Sequence, residues 1–413
     1  MTLFSRVLPS FSVLAGLCLL AANAAASSLT FDQLMQAAMN SHPLVQGKRS
    51  AQAAAKAERE GAEWQRYPTP SIEANTQTGG QNASLLRVDQ PLWTGGRITS
   101  GIEAAGSRFD SASTAIDETR QELALRVVAA SSEALRQQAR ARHAQAGLDQ
   151  HEKLLAMIRR RVQQEVSPLA DQRLAESRLY AAANELSVST QALADALTQL
   201  GQLTGQAVTE IEPLSYEQAA KPDGLPGDLD QAITRAMAYS PTLRRINFDA
   251  LAANADISTR RAAYMPQLAL RVESSYGSVS DNRAMLVLLA QPGAGLSAQS
   301  GVDAALARRD AVRQTAEAAQ RDVREHITLD WNNWAAARLR LSNAEHASST
   351  STEVFESYVR QYAASRKTWL DVLNAVREAT QAELAMEDAK SQTQAAVLRL
   401  KVQIGGLNSG NEK

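Results

Sequence analysis

A repeat at an offset of about 200 residues constrains this chain more than any other feature of its sequence. Phe31-Asp32-Gln33 through Ala38-Met39 to Pro43 returns as Leu229-Asp230-Gln231 through Ala236-Met237 to Pro241. Further matches keep the same order: Tyr67-Pro68 with Met265-Pro266, Gln90-Pro91 with Gln291-Pro292, Ser100-Gly101-Ile102-Glu103 with Ser300-Gly301-Val302-Asp303, Asp171 with Asp371, and Gly205 with Gly405. The chain is therefore two copies of one unit, 29–220 and 229–410, joined by a Pro/Gly-rich linker at 221–228.

Proline marks the inner boundaries of each copy. None occurs between Pro91 and Pro168, between Pro168 and Pro213, or after Pro292. Proline breaks helix interiors, so these gaps admit very long helices, and alanine, the strongest helix former and 75 of the chain's 413 residues, is abundant in them. The pattern predicts helices near 43–66, 98–164 and 168–204, and again near 241–264, 297–363 and 367–404. Apolar residues recur every seven positions at Ile102, Phe109, Ile116 and Leu123, and at Ile327, Trp334 and Leu341. At 1.5 Å per residue the long helix of each unit spans roughly 100 Å and the two shorter ones roughly 36 and 55 Å, so the short pair stacked end to end nearly matches the long one. Such lengths describe an antiparallel coiled-coil rod.

Between the first and second helix of each unit the period changes to two. Ile72, Ala74, Thr76 and Thr78 alternate with Glu73, Asn75 and Gln77; Leu268, Leu270, Val272, Ser274 and Tyr276 alternate with Ala269, Arg271, Glu273 and Ser275. Turn residues follow (Gly79 to Asn82; Gly277 to Asn282), then Ala83–Val88 and Ala284–Ala290. Each unit thus predicts one hairpin, about 71–90 and 268–290. A small sheet with one wet face is the ordinary explanation of such alternation. Two isolated hairpins on long rods would leave unpaired edges and no core, whereas a closed barrel in a membrane removes the edges. Four strands are too few for a barrel; a dimer gives eight and a trimer twelve.

The start of the chain reads as an export signal over 1–26: Arg6, an apolar run from Val13 to Leu20, then a small-residue stretch that places cleavage after Ala24 or Ala26. Cys18, the single cysteine, lies inside that run, and Leu17 before it does not suit lipid attachment. No other segment is an apolar run long enough for a membrane helix. With 43 Lys+Arg against 44 Asp+Glu there is no basic footprint for nucleic acid. His42, His143, His151, His326 and His346 are scattered as solvated helix residues without metal-ligand spacing, and neither a phosphate-binding loop nor a nucleophile elbow is present. Neither enzyme chemistry nor a cofactor is expected. Trp331 and Trp334 read as core, and Arg159-Arg160-Arg161 as a cluster complementing a helix C-terminus.

Helix, hairpin, long helix and shorter helix, duplicated behind a signal peptide, resemble the TolC family of outer-membrane efflux and secretion channels. The most specific marks are Gln90-Pro91-Leu92-Trp93 with Gly95-Gly96-Arg97, and Thr368-Trp369-Leu370-Asp371-Val372-Leu373-Asn374-Ala375. The resemblance implies a mainly α fold with a β-barrel portion: a homotrimer whose four strands per chain form a twelve-stranded barrel in outer-membrane lipid, continuous with a helical periplasmic tunnel. It further implies partners in a periplasmic adaptor and an inner-membrane transporter. The turns at Val166-Ser167-Pro168 and Ala363-Ala364-Ser365-Arg366 match the tips that close the tunnel and meet the adaptor. Asp371 and Asn374 match an aspartate pair at the constriction, and the amide at the second position would halve the ring charge. Asp171 and Tyr362 match a polar gate contact, and Lys367 a basic gate residue whose partner position is Ala170. Taken without the resemblance, Asp371 is a carboxylate favoured at a helix start. Arg366 to Asn374 is more similar to members that serve type I secretion of large adhesins than to multidrug members. A periplasmic coiled-coil scaffold that conducts nothing is the competing reading of the helices.

Overall fold

The computed structural model describes residues 29–76, 82–276, 281–290 and 297–406. The expected signal peptide and both hairpin turns lie outside them. In chain order the elements are α1 (Phe31–Ser41), α2 (Pro43–Trp64), β1 (Thr69–Thr76), β2 (Asn82–Trp93), α3 (Arg97–Gln163), α4 (Leu169–Thr204) and α5 (Pro213–Ala219). The second copy supplies α6 (Leu229–Tyr239), α7 (Pro241–Arg261), β3 (Gln267–Tyr276), β4 (Asp281–Leu289), α8 (Ser297–Ala363) and α9 (Trp369–Gln403).

Matching local signals begin matching helices. Pro43 and Pro241 occupy the first turn of α2 and α7, where their missing N–H costs nothing, behind His42 and Ser240 as side-chain caps. The short helices α1 and α6, which the proline pattern does not reveal, start from Thr30 and Asp228 caps that each accept from a glutamine N–H, Gln33 and Gln231.

The helices form four columns side by side. α3 packs on α2 and α4 along one flank and on α7 and α9 along the other, and α8 covers the far side of α7 and α9. Val45 at the start of α2 and Leu203 near the end of α4 meet on Ile116 and Leu123 of α3, so the two short helices do stack end to end against the long one. Much of the buried face of α3 is Ala, Ser, Thr and Gly, including Ala104, Ala105, Ser111, Ala115, Ala130, Ser131, Ala134 and Gly147, which lets neighbouring backbones approach closely. Where the two copies meet, polar pairs line much of the seam between apolar clusters. Along α3, Arg108 pairs with Asp256 and Arg245 with Glu118; Ser132 bonds Ser391; Arg136 and Arg140 both reach Asp388; and His143 lies between Glu383 and Glu387 at 3.2 and 3.5 Å. His143 is therefore a contact residue between the copies and not a solvated one. His151 is also partly buried, and that burial, with Arg178 nearby, holds its pKa below the ordinary value.

The two hairpins join in one antiparallel sheet of order β1-β2-β3-β4. β2 is longer than the alternation predicts because it runs on through Pro91, and its register against β3 shifts between Pro91 and Trp93. A bulge is where an interior strand tolerates a residue without an N–H. Among the described residues β1 and β4 have no neighbour on their outer edges.

Candidate functional site

Pairing in register sorts the sheet's side chains by chemistry. One row runs Ser71, Arg87, Glu273, Arg283 and the next Thr69, Asp89, Arg271, Met285. With Glu73 and Asp281 on the same face, every charged residue of the four strands lies on one side. Glu273 is buried there between Arg87 and Arg283, each 2.9 Å away, and Asp89 accepts from Arg271 at 2.7 Å. The opposite face carries Ile72, Leu86, Val88, Leu270, Val272, Leu286 and Leu288. These are bare: Ile72 is 78% exposed, Leu286 66% and Leu288 68%. An apolar sheet face open to the surroundings, backed by a face of ion-paired charges, is the inverse of a water-soluble sheet, and it has the alternation of a strand between lipid and an aqueous lumen.

Aromatic residues gather where sheet meets helix. Trp64 and Tyr67 stack at 5.2 Å, and both are exposed, as are Trp93 and Tyr264. Amphipathic rings of this kind suit a membrane–water interface. The junction is fixed by Gly95 and Gly96 in the left-handed region, φ 62° and 92°. A Cβ at Gly95 would lie 2.3 Å from the Met265 Cβ of the second copy.

At the other end the two tip turns have one design. α3 and α8 each close with a left-handed residue, Glu165 (φ 58°) and Ser365 (φ 57°). Val166 N–H donates to Arg161 O at 2.9 Å and Glu165 N–H to Val162 O; Arg366 N–H donates to Gln361 O at 2.8 Å and Ser365 N–H to Tyr362 O. These are Schellman caps with non-glycine residues where glycine is usual. Pro168 is then the N-cap of α4, and Thr368 that of α9.

The expected gate residues do gather at these tips, with partners that the sequence does not reveal. Asp371 is the third residue of α9 and closes a reciprocal cap with Thr368. Those hydrogen bonds to the Thr368 hydroxyl and N–H, with Lys367 nearby, hold its carboxyl below the ordinary aspartate range. Asn374, one turn on, is exposed. Lys367 Nζ sits 4.2 Å from the centre of the Tyr358 ring, and Ser167 Oγ accepts from Arg161 Nε at 3.4 Å. Tyr362 is buried, and its hydroxyl has no hydrogen-bond partner, so the contact expected with Asp171 is not made within the chain. The ring of Tyr362 lies instead between the Arg161 guanidinium, 4.9 Å from its centre, and the Trp369 ring at 5.3 Å. Sequence reasoning places Arg161 in a basic cluster and Trp369 in a family mark, and misses that both pack on Tyr362. The available signal was that Arg161 continues the helical seam of Leu154 and Ile158, where an apolar residue is expected.

A two-copy helical rod with a single sheet, apolar on one face and charged on the other, has the architecture of outer-membrane channel subunits. Residues 20–206, which take in nearly all of the first copy, match the family model described as outer membrane efflux protein. Over those residues the chain is similar to that family, whose members are transport channels without enzymatic activity. Solved structures agree across both copies. The CusC transmembrane channel superposes with a TM-score of 0.80 at 16% identity over 91% of each chain. The open-state MtrE outer membrane channel of Neisseria gonorrhoeae gives 0.79 at 18% identity, covering 91% of this chain and 88% of MtrE. The outer membrane protein VceC of Vibrio cholerae gives 0.77 at 16% identity, covering 91% and 96%. At these identities the likeness is one of fold. No curated protein matches the sequence.

Proposed function

We propose that three copies of this chain form an exit duct in the outer membrane of a Gram-negative bacterium, reaching far into the periplasm. The observation that carries this reading is the pair of open edges. The sheet ends on β1 and β4, and the helical layer ends on the α2/α4 column and on α8. α8 has only six buried residues along its 67, and exposed apolar side chains mark both outer columns: Tyr180 and Val188 on α4, Leu329 and Leu339 on α8. Pairing β4 of one copy with β1 of the next, and α8 with the next α2/α4 column, satisfies both edges by one rotation. Three copies give twelve strands. Each strand is roughly 30 Å long, enough to carry an apolar band through the bilayer at a tilt.

In this reading the duct is the passive outer part of a tripartite efflux or type I secretion assembly. A periplasmic adaptor meets the tips around Ser167, Pro168, Ser365 and Arg366, and an inner-membrane transporter supplies the energy. Asp371 contributes one carboxylate per chain to the constriction, with Asn374, Asp171, Tyr362 and Lys367 around it, and a ring of carboxylates favours cations. The stretch Arg366 to Asn374 favours protein secretion over drug efflux. Fractionation separates the duct from the scaffold alternative: a duct runs as a detergent-stable trimer from outer membranes and conducts in planar bilayers, whereas osmotic shock releases a scaffold. Deleting the gene tests the cargo, since a drug-sensitive strain with an unchanged secretome rules out the type I reading.

A further inference from the structure

The end of α2 and the bend that follows it set Glu60, Glu63, Trp64 and Tyr67 at i, i+3, i+4 and i+7, one stripe of a helix. With Arg66 and with Ile102 of α3 they line a cleft of about 430 Å³. The bend is fixed: Gln65, Arg66 and Tyr67 N–H donate to Ala62, Glu63 and Trp64 O at 3.3, 3.2 and 3.0 Å, and Gln90 Nε2 of β2 donates to Arg66 O at 2.9 Å. Charges of both signs stand there without full partners. Arg66 and Glu60 form no ion pair among the described residues, and Glu63 meets only Arg59, at 3.6 Å. The second copy does not repeat these residues. Carried over at the spacing that matches Tyr67 with Met265, the stripe becomes Ser258, Arg261, Ala262 and Met265, with no carboxylate and no aromatic ring, so the duplication does not account for it.

We propose that the cleft takes the headgroup of a phosphoethanolamine lipid, one per chain, with the phosphate on Arg66, the ammonium among Glu60, Glu63 and the Trp64 and Tyr67 rings, and the acyl chains along the apolar face of the sheet. This rests on the duct reading, which puts the sheet-to-helix junction at the periplasmic surface of the membrane. A guanidinium binds phosphate well, and carboxylates, aromatic faces and the negative end of a helix each attract a cation. A headgroup bearing both charges answers all of them. A glycerol headgroup brings no cation, and a choline brings one that has no N–H to donate to a carboxylate. The fold supplies a path for the tails: past Tyr67 the chain enters β1 at Thr69, and Ile72, 78% exposed, begins the apolar face.

The test is lipid retention by the oligomer extracted from outer membranes, read by native mass spectrometry after exchange into an equimolar mixture of dihexanoyl phosphatidylethanolamine, phosphatidylcholine and phosphatidylglycerol. Wild type is expected to keep the ethanolamine lipid over the choline lipid by about fivefold or more. Glu60→Gln combined with Glu63→Gln is expected to erase that preference, and Arg66→Gln to weaken retention of all three lipids by about threefold or more. Free phosphoethanolamine, which has the charges without the tails, should fail to displace the bound lipid at the same concentration. A wild-type oligomer that keeps the choline or glycerol lipid as well as the ethanolamine one overturns the proposal, as does a preference that survives the double glutamine variant. Displacement by free phosphoethanolamine overturns the lipid as occupant. If the next copy covers the cleft instead, Trp64→Ala loosens the oligomer on a gel and leaves lipid retention unchanged, and the proposal falls. The duct reading fails differently: osmotic shock then releases the protein without bound phospholipid of any class.

Discussion

Thr368 and Asp371 hold one another at the start of α9. Asp371 N–H donates to Thr368 Oγ1 at 3.2 Å, while Thr368 N–H and Oγ1 both donate to Asp371 Oδ2, at 3.0 and 2.8 Å. The carboxylate assigned to the constriction is therefore also a helix cap, and its two roles can be separated. Thr368→Ala should cost about 1 kcal/mol of α9 stability without changing the ring charge. Asp371→Asn should lower cation preference in reversal-potential measurements. The folded-state pKa of Asp371 is depressed, so the cap's contribution is fully present above the ordinary value of 3.8 and is lost as pH falls through the lower folded value. Thermal melts of Thr368→Ala and wild type should accordingly converge only below about pH 4.

Glu273 is the centre of the charged face of the sheet. Replacing it with alanine leaves Arg87 and Arg283 facing each other without a counter-charge. The expected cost is about 2 kcal/mol per chain, read as a lower temperature at which the detergent-stable oligomer dissociates on a gel. Adding Arg87→Ala to Glu273→Ala should recover part of that loss. An unchanged dissociation temperature in the single variant would remove Glu273 from this role.

Gly95 combines a left-handed backbone with a neighbour at van der Waals contact. Gly95→Ala should destabilise the sheet-to-helix junction by about 2 kcal/mol or more, since a Cβ meets both backbone strain and the Met265 Cβ. Gly96→Ala, where no atom lies within 4 Å of the added carbon, should cost only the backbone term. Comparing the two in denaturant titrations isolates the clash.

Glu165 and Ser365 run the opposite way. Each holds a left-handed conformation that glycine adopts freely. Glu165→Gly and Ser365→Gly should each stabilise the isolated tip geometry by up to about 1 kcal/mol, measured as slower amide exchange over the last turn of α3 or α8. Faster exchange in either variant would show that the side chain, not the backbone, sets the turn.

The long helices were legible in the sequence because two strong local signals agree, proline placement and alanine content, and their predicted ends lie within two or three residues of those observed. α1 and α6 were not, since each is 11 residues long and only one residue separates it from the next helix. The alternation assigned the faces of β1 and β3 correctly, because side-chain direction in a strand is local. The joining of β2 to β3 is a contact across some 180 residues, and no local pattern encodes it. β2 was read short because proline ordinarily ends an interior strand, and only the bulge explains why Pro91 does not. At the tip, Asp371 was visible from its place at a helix start. Arg161 was read as part of a basic cluster facing the helix dipole, while its side chain turns along the seam onto a ring from the other copy.

The outer edges of β1 and β4 bear on how the protein is made. A single folded copy carries two rows of unanswered backbone N–H and C=O groups, together with an apolar face that water does not wet. Such a protomer has no comfortable resting place, so its sheet should become ordered only as copies meet and lipid covers them. Folding, association and insertion are then one event whose rate rises with the number of copies present. In the proposed duct, export that outruns the meeting of copies would leave sticky strands instead of channels.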